Sequence, residues 1–455
     1  MIGLGLSIVQ LAVRQLLGGA FTPDALFAAN EQGAWYDPSD MSTLFQDAAG
    51  TTPVTAVEQP VGRMLDKSGR GNHATQATAI NRPVLSARVN LLTKTEELTN
   101  AAWTKESGTT VSSTLVAAPD GSLTAFTVTG DGLSGVFQAP AGSASLGQTT
   151  RAVYLRVASG AATVGIKDPV NTQGITTCNL TTTWQQFTLT ETTPPTGGFA
   201  AGIWIFNIPR TGIEVAWPDL RVANDGVNLP PYQRVNTATD YDSVGFPVYL
   251  RADGVDDGMV TNSINFTATD KMTAVVGVRK LSDATTMAIA ETSNDPAAND
   301  GTFSIYYSGI STVGGYGCSS KGTITAIAPI TGLYPSPITN VLTGIGNISG
   351  DSAILRVNAI QAAISTTDQG TGNYGNYPLY LFRRGGTTLP FNGRFYGMTI
   401  VNKLLSTTEL AQLETYTNGK TRAFVPPPPV TVSALLLENS DKLLLEDGSL
   451  ILLEA

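Results

Sequence analysis

The chain has 455 residues, enough for about two to four domains, and its 42% hydrophobic against 14% charged residues are typical of a folded protein. Its 27 Lys and Arg against 36 Asp and Glu leave a net charge of -9, and the basic residues are scattered, so no nucleic-acid partner is expected. The two cysteines, Cys178 and Cys318, and the single histidine, His73, give no basis for a disulfide framework, a thiolate metal site or most histidine-based catalysis.

The first 20 residues are apolar and predict an amphipathic helix. Its one narrow polar stripe consists of Ser7, Gln10 and Arg14. The stretch is too short for a membrane span, which needs roughly 20 uninterrupted apolar residues, and it lacks the basic start of a signal peptide. We expect it either to pack on its own protein or to dock into another chain. A second short helix is predicted after Thr22, a good N-cap followed by Pro23, with its end before Gly33.

The middle of the chain has the pattern of a β protein. From about residue 110 to 400, β-branched or aromatic runs such as AVYLRVA from Ala152 alternate with turns rich in Gly, Asn, Asp and Pro. Strands repeating at this spacing are typical of β-sandwiches. The sequence therefore predicts a mostly-β protein.

One later helix interrupts this pattern. Ser406 with Glu409 forms a capping box, and Leu410 and Leu413 supply an inner apolar face. Gly419 suits the C-cap, because glycine adopts the left-handed conformation without strain. We expect this helix to cover the last sheet.

The C-terminus combines a stiff linker with a leucine-rich repeat. The run Pro426 to Pro429 predicts a polyproline linker. The tail then repeats LLLE or ILLE every eight residues, from Leu435, Leu443 and Ile451, and Asp447-Gly448 favours a hairpin turn. Strands this short do not support themselves, so we expect a small β repeat that holds chains together as a homotrimer. The alternative is that the tail folds back onto its own chain.

Three stretches resemble the laminin-G-like, concanavalin-A-like jelly roll. GAWYDPSDMSTLFQD from Gly33 and LDKSGRGNHATQATAINRPVL from Leu65 resemble its opening. YLRADGVDDGMVT from Tyr249 resembles its next landmark, although Ala252 stands where the family usually has Phe, and it comes much later than expected. FNGRFYGMTIVNKLLSTTELAQLETY from Phe391 resembles the last strand and closing helix.

The stretch between these landmarks resembles a second β-sandwich, of the carbohydrate-binding-module type. The resemblance lies in NLLTKTEELTNAAWTK from Asn90, TTTWQQFTLT from Thr181 and IEVAWPDLRVANDGVNLPPYQRV from Ile213. Insertion of one domain into a loop of another explains the order, because the termini of a domain usually lie close together. We therefore expect two β-sandwich jelly rolls, one inserted in the other, with short N-terminal helices and a small C-terminal β repeat tail.

This interpretation divides the chain into four parts. They are a helical anchor at 1–30, a discontinuous jelly roll at 31–89 and 236–422, an inserted sandwich at 90–235, and a proline linker with a leucine-rich tail at 423–455.

The combination of these two sandwich domains, together with the run YQRVNTATDYDSVGFPVYLRADGVDD from Tyr232, is similar to virion proteins of tailed bacteriophages. The resemblance implies a structural and adhesive virion protein, made in the host cytoplasm: a tail fibre or tail-associated receptor-binding protein that contacts host-surface polysaccharide. Its N-terminal segment would bind other virion proteins. The alternatives are a head-surface fibre or capsid decoration protein, and a polysaccharide-degrading enzyme.

We expect that the protein is not an enzyme, because glycosidases need two opposed carboxylates and no Glu-x-Asp-x-x-Glu run is present.

The candidate glycan-binding residues are aromatic, since sugar CH faces stack on aromatic rings. They are Trp184, Trp204, Trp217 and Tyr232. The competing interpretation is core packing, and it is strongest for Trp204, whose strand GIWIFNI is apolar on both alternating faces and predicts burial on both sides. Trp217 and Tyr232, flanked by proline and polar residues, are expected to be the more exposed.

The densest acids of the jelly roll are Asp253, Asp256 and Asp257. RADGVDDG predicts first a turn, because Asp and Gly favour Asx-turns and positive φ. The alternative is a calcium site, for which a cation needs 6–8 oxygen ligands in all. His73, in the loop DKSGRGNH, has no nucleophile motif beside it, so a loop-stabilising role is expected.

Overall fold

The structure is a computed structural model that describes residues 21–140, 148–169, 174–191, 201–307 and 314–426, and the backbone of 436–437 and 443–444. The helix predicted for residues 1–20 lies outside this range. The chain forms two compact units, Met1–Phe424 and Val425–Ala455. No helix among the described residues is long and apolar enough to cross a membrane.

The first unit is built almost entirely of strands. The first fifteen are β1 (Gly33–Tyr36), β2 (Leu44–Phe45), β3 (Arg63–Met64), β4 (Ala74–Thr75), β5 (Val84–Ser86), β6 (Thr104–Lys105), β7 (Thr110–Ala117), β8 (Leu123–Thr129), β9 (Val136–Gln138), β10 (Thr149–Arg156), β11 (Ala162–Lys167), β12 (Ile175–Leu180), β13 (Gln185–Glu191), β14 (Ile203–Phe206) and β15 (Ile213–Val222). The next twelve are β16 (Tyr249–Asp253), β17 (Met259–Asn265), β18 (Lys271–Lys280), β19 (Met287–Thr292), β20 (Phe303–Tyr307), β21 (Tyr316–Lys321), β22 (Thr325–Ile330), β23 (Ile338–Asn347), β24 (Ser352–Val357), β25 (Ile360–Ser365), β26 (Asn376–Leu381) and β27 (Asn392–Val401). The helical elements are three short 3-10 helices, Pro23–Phe27, Met41–Thr43 and Ala79–Asn81, and the helix α1 (Thr407–Thr421).

The large sandwich packs two antiparallel sheets around one core. An eight-stranded sheet has the order β25-β24-β23-β18-β27-β16-β5, with β1 also paired to β27. A nine-stranded sheet has the order β2-β3-β4-β17-β26-β19-β20-β21-β22. Both take strands from the beginning and from the second half of the unit. Their inward side chains form the core, which includes Tyr36, Phe266, Phe303, Tyr374, Phe391 and Phe395.

The small sandwich uses only strands β6 to β15, which lie between those two portions of the chain. One sheet has the order β13-β10-β15-β8-β7 and is called the Trp217 sheet; the other has the order β12-β11-β14-β9-β6 and is called the Trp204 sheet. Their inward side chains share a core that includes Trp103, Val153, Leu155, Ile205 and Val215. The predicted fold class, one β-sandwich inserted in another, is confirmed. The precise boundaries 31–89, 236–422 and 90–235 stay a prediction.

Two buried side-chain amides join the chain segments that run between the sandwiches. Gln233 is fully buried, and its side-chain oxygen accepts hydrogen bonds from the backbone N–H groups of Val89 (2.8 Å) and Asn90 (2.9 Å). Its side-chain nitrogen donates to the carbonyls of Ala87 (2.9 Å) and Asp242 (2.7 Å). One side chain thus joins the outgoing segment to the returning one.

Asn90 completes this joint from the other segment. It is also fully buried, and its side-chain nitrogen donates to the carbonyls of Pro218 (3.2 Å) and Gln233 (2.9 Å). Its oxygen accepts from the N–H groups of Leu92 (3.1 Å) and Leu220 (3.0 Å). Because buried polar groups without partners are costly, four satisfied bonds per amide fix the two segments against each other.

A buried carboxylate makes a second connection between the sandwiches. Asp225, just after β15, accepts a 2.6 Å hydrogen bond from Arg394 of the large sandwich. Arg279, on β18, donates to the carbonyls of Ala223 (2.9 Å) and Asn224. The end of the small sandwich is therefore held by two arginines of the large one.

The early helix is shorter than predicted. The sequence places it between Thr22 and Gly33, but only Pro23–Phe27 is helical, and as a 3-10 helix. Asn30 follows with φ +67, a left-handed conformation that ends helical geometry, and its N–H donates to the carbonyl of Phe27.

The late helix begins as predicted and ends later. The capping box of Ser406 and Glu409 is confirmed in both directions, and Leu413 is buried. The prediction of Gly419 as C-cap is wrong, because α1 continues to Thr421 and Arg422 adopts the left-handed C-cap conformation, with φ +55.

The second unit contains one described pair of short strands. β28 (Leu436–Leu437) and β29 (Leu443–Leu444) pair antiparallel, in agreement with the strands predicted from the first two repeats. The third repeat and the Asp447-Gly448 turn lie outside the described residues. The homotrimer stays a prediction.

We predict that Gln233→Ala lowers the free energy of unfolding of the full chain by about 3 kcal/mol or more, because four buried backbone groups lose their partner. Chemical denaturation followed by circular dichroism measures the loss. The control is Gln361→Ala on the exposed strand β25, for which a change below about 0.5 kcal/mol is expected. Equal stability of the two variants would contradict a structural role for the joint.

Candidate functional site

The outer face of the Trp217 sheet carries a layer of aromatic side chains. Strands β10 and β15 alternate, so that Val153, Leu155 and Val215 face the core while Tyr154 faces outward. The aromatic layer consists of Tyr154, Trp184, Trp217 and Tyr232, each half-buried. Three of them pack against the buried alanines Ala118, Ala125 and Ala216, and Tyr232 joins through its ring contact with Trp217.

A bulge in β15 sets the direction of Trp217. The pairing of β10 with β15 runs from Ala152 opposite Asp219 to Tyr154 opposite Ala216, so β15 holds one extra residue at this point. Trp217 lies in the bulge with φ +54, a conformation that is rare and strained for a bulky residue. Bulges commonly redirect a side chain beside a binding site, and strain of this kind is kept where the surroundings enforce it.

The rings of the layer contact one another in two geometries. Trp217 and Tyr232 stack nearly parallel, with ring centroids 5.5 Å apart and planes 7° apart. Tyr154 meets Trp217 edge to face at 5.4 Å. The indole N–H of Trp217 points to the hydroxyl of Thr124 at 3.4 Å. These contacts fix the ring of Trp217 while part of it stays exposed.

The buried joint positions this stack directly. Asn90 donates to the carbonyl of Pro218, the residue after Trp217, and Gln233 is the residue after Tyr232. The N–H of Gln233 also donates to the buried carboxylate of Asp219 at 3.0 Å. The two stacked rings are therefore held by residues adjacent to them in sequence.

Tyr232 is held in place through its hydroxyl as well as its ring. The hydroxyl lies 2.7 Å from that of Thr95 and donates to Glu96 at 3.3 Å. Burial and the nearby charge of Glu96 raise the pKa of Tyr232 well above its usual value, and burial raises the pKa of Glu96. Tyr232 therefore stays neutral at all physiological pH values.

Trp184 forms the other end of the layer. Its indole N–H donates to the carbonyl of Ala117 at 3.1 Å, and the guanidinium of Arg156 lies over its ring, 4.6 Å from the centroid. Arg156 also pairs with the carboxylate of Glu214. A cation over an indole ring is an attractive interaction that keeps both groups in position.

Polar groups border the aromatic layer. They are Glu96, Thr124, Arg156, Gln186 and Glu214. Half-exposed rings beside carboxylate, amide and guanidinium groups suit a ligand with an apolar face and many hydroxyls.

The structure separates Trp204 from the other three predicted aromatic residues. Strand β14 alternates, with Ile203 and Ile205 buried in the core and Trp204 and Phe206 half-buried on the outer face of the Trp204 sheet. The prediction that this strand is buried on both sides is wrong, because Trp204 and Phe206 are only half-buried. The ammonium of Lys167 lies 4.2 Å from the ring centroid of Trp204.

Sequence reasoning missed Tyr154 and Arg156. Both lie in AVYLRVA, and the period-two alternation of that run places them on the face opposite Val153 and Leu155. That alternation was a usable signal. The juxtaposition with Trp184 and Trp217, however, depends on pairing with β13 and β15, which the run does not specify.

The acidic cluster forms the predicted turn. The carboxylate of Asp253 accepts from the N–H groups of Val255 (2.8 Å) and Asp256 (3.2 Å), and that of Asp257 accepts from the N–H of Asp253 (3.0 Å). One oxygen from each of the three acids lies within 4.8 Å of the others, so they could supply oxygen ligands to a calcium ion. Calcium binding stays a prediction.

His73 has the predicted loop-stabilising role. Its Nδ1 accepts a 3.0 Å hydrogen bond from the N–H of Asp66. Burial, with the nearby charge of Arg63, lowers the pKa of His73, which keeps Nδ1 free to accept.

The cysteines Cys178 and Cys318 are buried and form no disulfide. Burial raises the pKa of each thiol to about 12, which makes both unreactive.

With this geometry, the chain is defined as a mostly-β protein of nested sandwiches with an aromatic layer on an outer face. No protein-family profile and no curated protein matches it.

Solved structures that match parts of the chain include a carbohydrate-binding module, a toxin binding domain and a trans-sialidase. The CBM40 module of Ruminococcus gnavus IT-sialidase, bound to sialyllactose, is 19% identical over 33% of this chain and 83% of its own, with a TM-score of 0.27. The binding domain of botulinum neurotoxin serotype D is 8% identical over 37% of this chain and 42% of its own, with a TM-score of 0.30. A leech intramolecular trans-sialidase is 16% identical over 36% of this chain and 25% of its own, with a TM-score of 0.27. Resemblance at this level says nothing about what this chain binds.

We predict that Asp257→Asn stabilises the protein at pH 8 by up to about 2 kcal/mol and has little effect near pH 4. Burial and the charges of Asp253 and Asp256 raise the pKa of Asp257 to about 6. A carboxyl with a raised pKa contributes its full stability below the unfolded pKa of about 4 and loses it as the pH rises through 6. Asn keeps an acceptor for the N–H of Asp253.

Thermal unfolding of both proteins between pH 4 and pH 8, in EDTA, measures this effect. The same pH slope in both would show that Asp257 does not titrate as expected. Adding calcium chloride tests the calcium prediction, since a bound cation raises the melting temperature of the wild type more than that of the variant.

Proposed function

We propose that this protein binds glycans through the aromatic layer of the small sandwich. The observation that carries the proposal is the strained, bulged position of Trp217, which holds a half-exposed indole ring on an outer face between Tyr154 and Tyr232. Strained backbone is frequent at binding sites, and a ring presented to a ligand must have a fixed direction.

The aromatic rings and the polar groups that border them would make different contacts with a glycan. Stacking on the rings supplies contact with the CH faces of a sugar, and the bordering Glu96 and Gln186 supply hydrogen bonds to its hydroxyls. Such an open site gives modest affinity, which display of several copies on one particle raises. The proposal requires no covalent chemistry and treats the protein as a binding module rather than an enzyme.

We further propose that the protein is a structural component of a tailed-phage particle, as a tail fibre or tail-associated receptor-binding protein. The support is the sequence resemblance of the two nested domains together with the run YQRVNTATDYDSVGFPVYLRADGVDD from Tyr232. A head-surface fibre or decoration protein is the alternative. A particle reconstruction that locates this chain at the tail or on the head surface decides between them, and a particle without the chain would refute both.

We predict that Trp217→Ala weakens glycan binding about tenfold or more, because one lost stacking contact corresponds to about 1.5 kcal/mol. The probe is a panel of purified bacterial capsular polysaccharides and lipopolysaccharides, and the measurement is biolayer interferometry on the full chain. Circular dichroism checks that the variant is folded.

The matched control is Trp204→Ala, which removes a half-buried outer-face tryptophan from the opposite sheet. It should bind as the wild type does. Loss of binding in this control alone would move the site to the Trp204 sheet, and no binding by the wild type across the panel would refute the proposed function. Release of reducing ends from a bound polysaccharide would show an enzyme instead.

A further inference from the structure

A groove runs along the exposed side of helix α1. It has a volume of about 610 Å³. Its lining residues are Phe21, Ala411, Gln412, Thr415, Tyr416, Gly419 and Lys420. The opposite side of α1 packs on the eight-stranded sheet, where Leu413 is buried and Glu414 pairs with Arg356 at 2.8 Å. The helix thus buries one face and leaves this one open.

Three of the residues that line the groove are small and lie on one face of α1. Ala411, Thr415 and Gly419 are exposed and four residues apart, so they lie on one helical face, where a second backbone can approach closely. Tyr416 also lines the groove, and its hydroxyl donates to the buried carboxylate of Asp37 at 3.0 Å. The volume of the groove falls within the range of about 300–1,000 Å³ that is typical of binding clefts.

The described part of the chain begins at this groove. Phe21, the first described residue, lines the groove beside Tyr416, and the two rings meet edge to face at 6.5 Å. The 20 residues before Phe21 carry a single charged side chain, Arg14, which suits an apolar groove. In sequence they predict an amphipathic helix whose apolar face includes Ile2, Leu6, Val9, Val13 and Leu16.

Length and connection also favour this segment. A helix of residues 2–17 would extend about 24 Å, close to the roughly 22 Å of α1, at 1.5 Å per residue. Gly18, Gly19 and Ala20 separate it from Phe21, and glycines allow the chain to reverse direction in a short distance. A segment tethered at the groove has a high effective concentration there, higher than a free partner reaches.

We propose that the groove on α1 binds the N-terminal segment, residues 2–17, of its own chain. The segment lies along Ala411, Thr415 and Gly419 with its apolar face inward and its polar stripe toward solvent. This site is independent of the aromatic layer, so it holds whether or not the protein binds glycans.

Thermal unfolding of four full-length proteins tests the proposal: the wild type, a deletion of residues 2–17, Thr415→Glu, and the two changes combined. Thr415 is exposed on α1, and a charge there conflicts with a bound apolar segment. We expect the deletion and Thr415→Glu each to lower the melting temperature by about 3 °C or more, and Thr415→Glu to have no further effect in the deletion background.

Thr114→Glu is the matched control, because Thr114 is an exposed threonine on β7 of the small sandwich, outside the groove. It should leave the melting temperature within about 1 °C of the wild type. Additive effects of the deletion and Thr415→Glu, or no effect of either, would overturn the proposal.

Cross-linking identifies the occupant. Thr415→Cys is combined in turn with Leu6→Cys, Val9→Cys or Val13→Cys, and oxidised; the native cysteines are buried and do not compete. A cross-link within one chain supports the proposal. Cross-linked dimers would overturn it in favour of a second copy, and no cross-link in any combination would place the segment elsewhere, for instance on another protein of the particle.

Discussion

The hydrogen bonds of Asn90 and Gln233 are the constraint on which the rest of this structure depends. They join the two chain segments that leave and re-enter the large sandwich. Both side chains are buried, so an amide left without hydrogen-bond partners would lower the free energy of unfolding. Because an inserted domain is connected only through such a pair of segments, their fixation decides whether it is rigidly attached. Asp225, held by Arg279 and Arg394, reinforces the same attachment.

The joint and the candidate binding site are parts of one arrangement. Trp217 precedes Pro218, whose carbonyl Asn90 binds, and Tyr232 precedes Gln233. The strain of a bulged tryptophan can therefore be maintained by buried hydrogen bonds one residue away. This arrangement explains how a half-exposed ring on an outer sheet face keeps one orientation, which is the property that a stacking site requires.

The open side of helix α1 and the aromatic layer are two outer surfaces with different side chains. The layer is rich in rings and bordered by polar groups, which suits a hydrated ligand. The open side of α1 has small residues beside the contacting rings of Phe21 and Tyr416, which suits a second helix. The two faces belong to different sandwiches, so binding at one is chemically separate from binding at the other.

The sequence by itself determined the features that depend on local pattern. Alternating apolar and polar residues with intervening turn residues determined a mostly-β fold. The pair Ser406 and Glu409 determined where α1 begins, and RADGVDDG determined a turn. Each of these features depends on neighbours within a few residues. Only the tertiary structure decided which aromatic residues meet. It brought Trp184, Trp217 and Tyr232 onto one face with Tyr154 and put Trp204 on the opposite sheet, because strand pairing and a one-residue bulge, not spacing along the chain, set which side chains are neighbours.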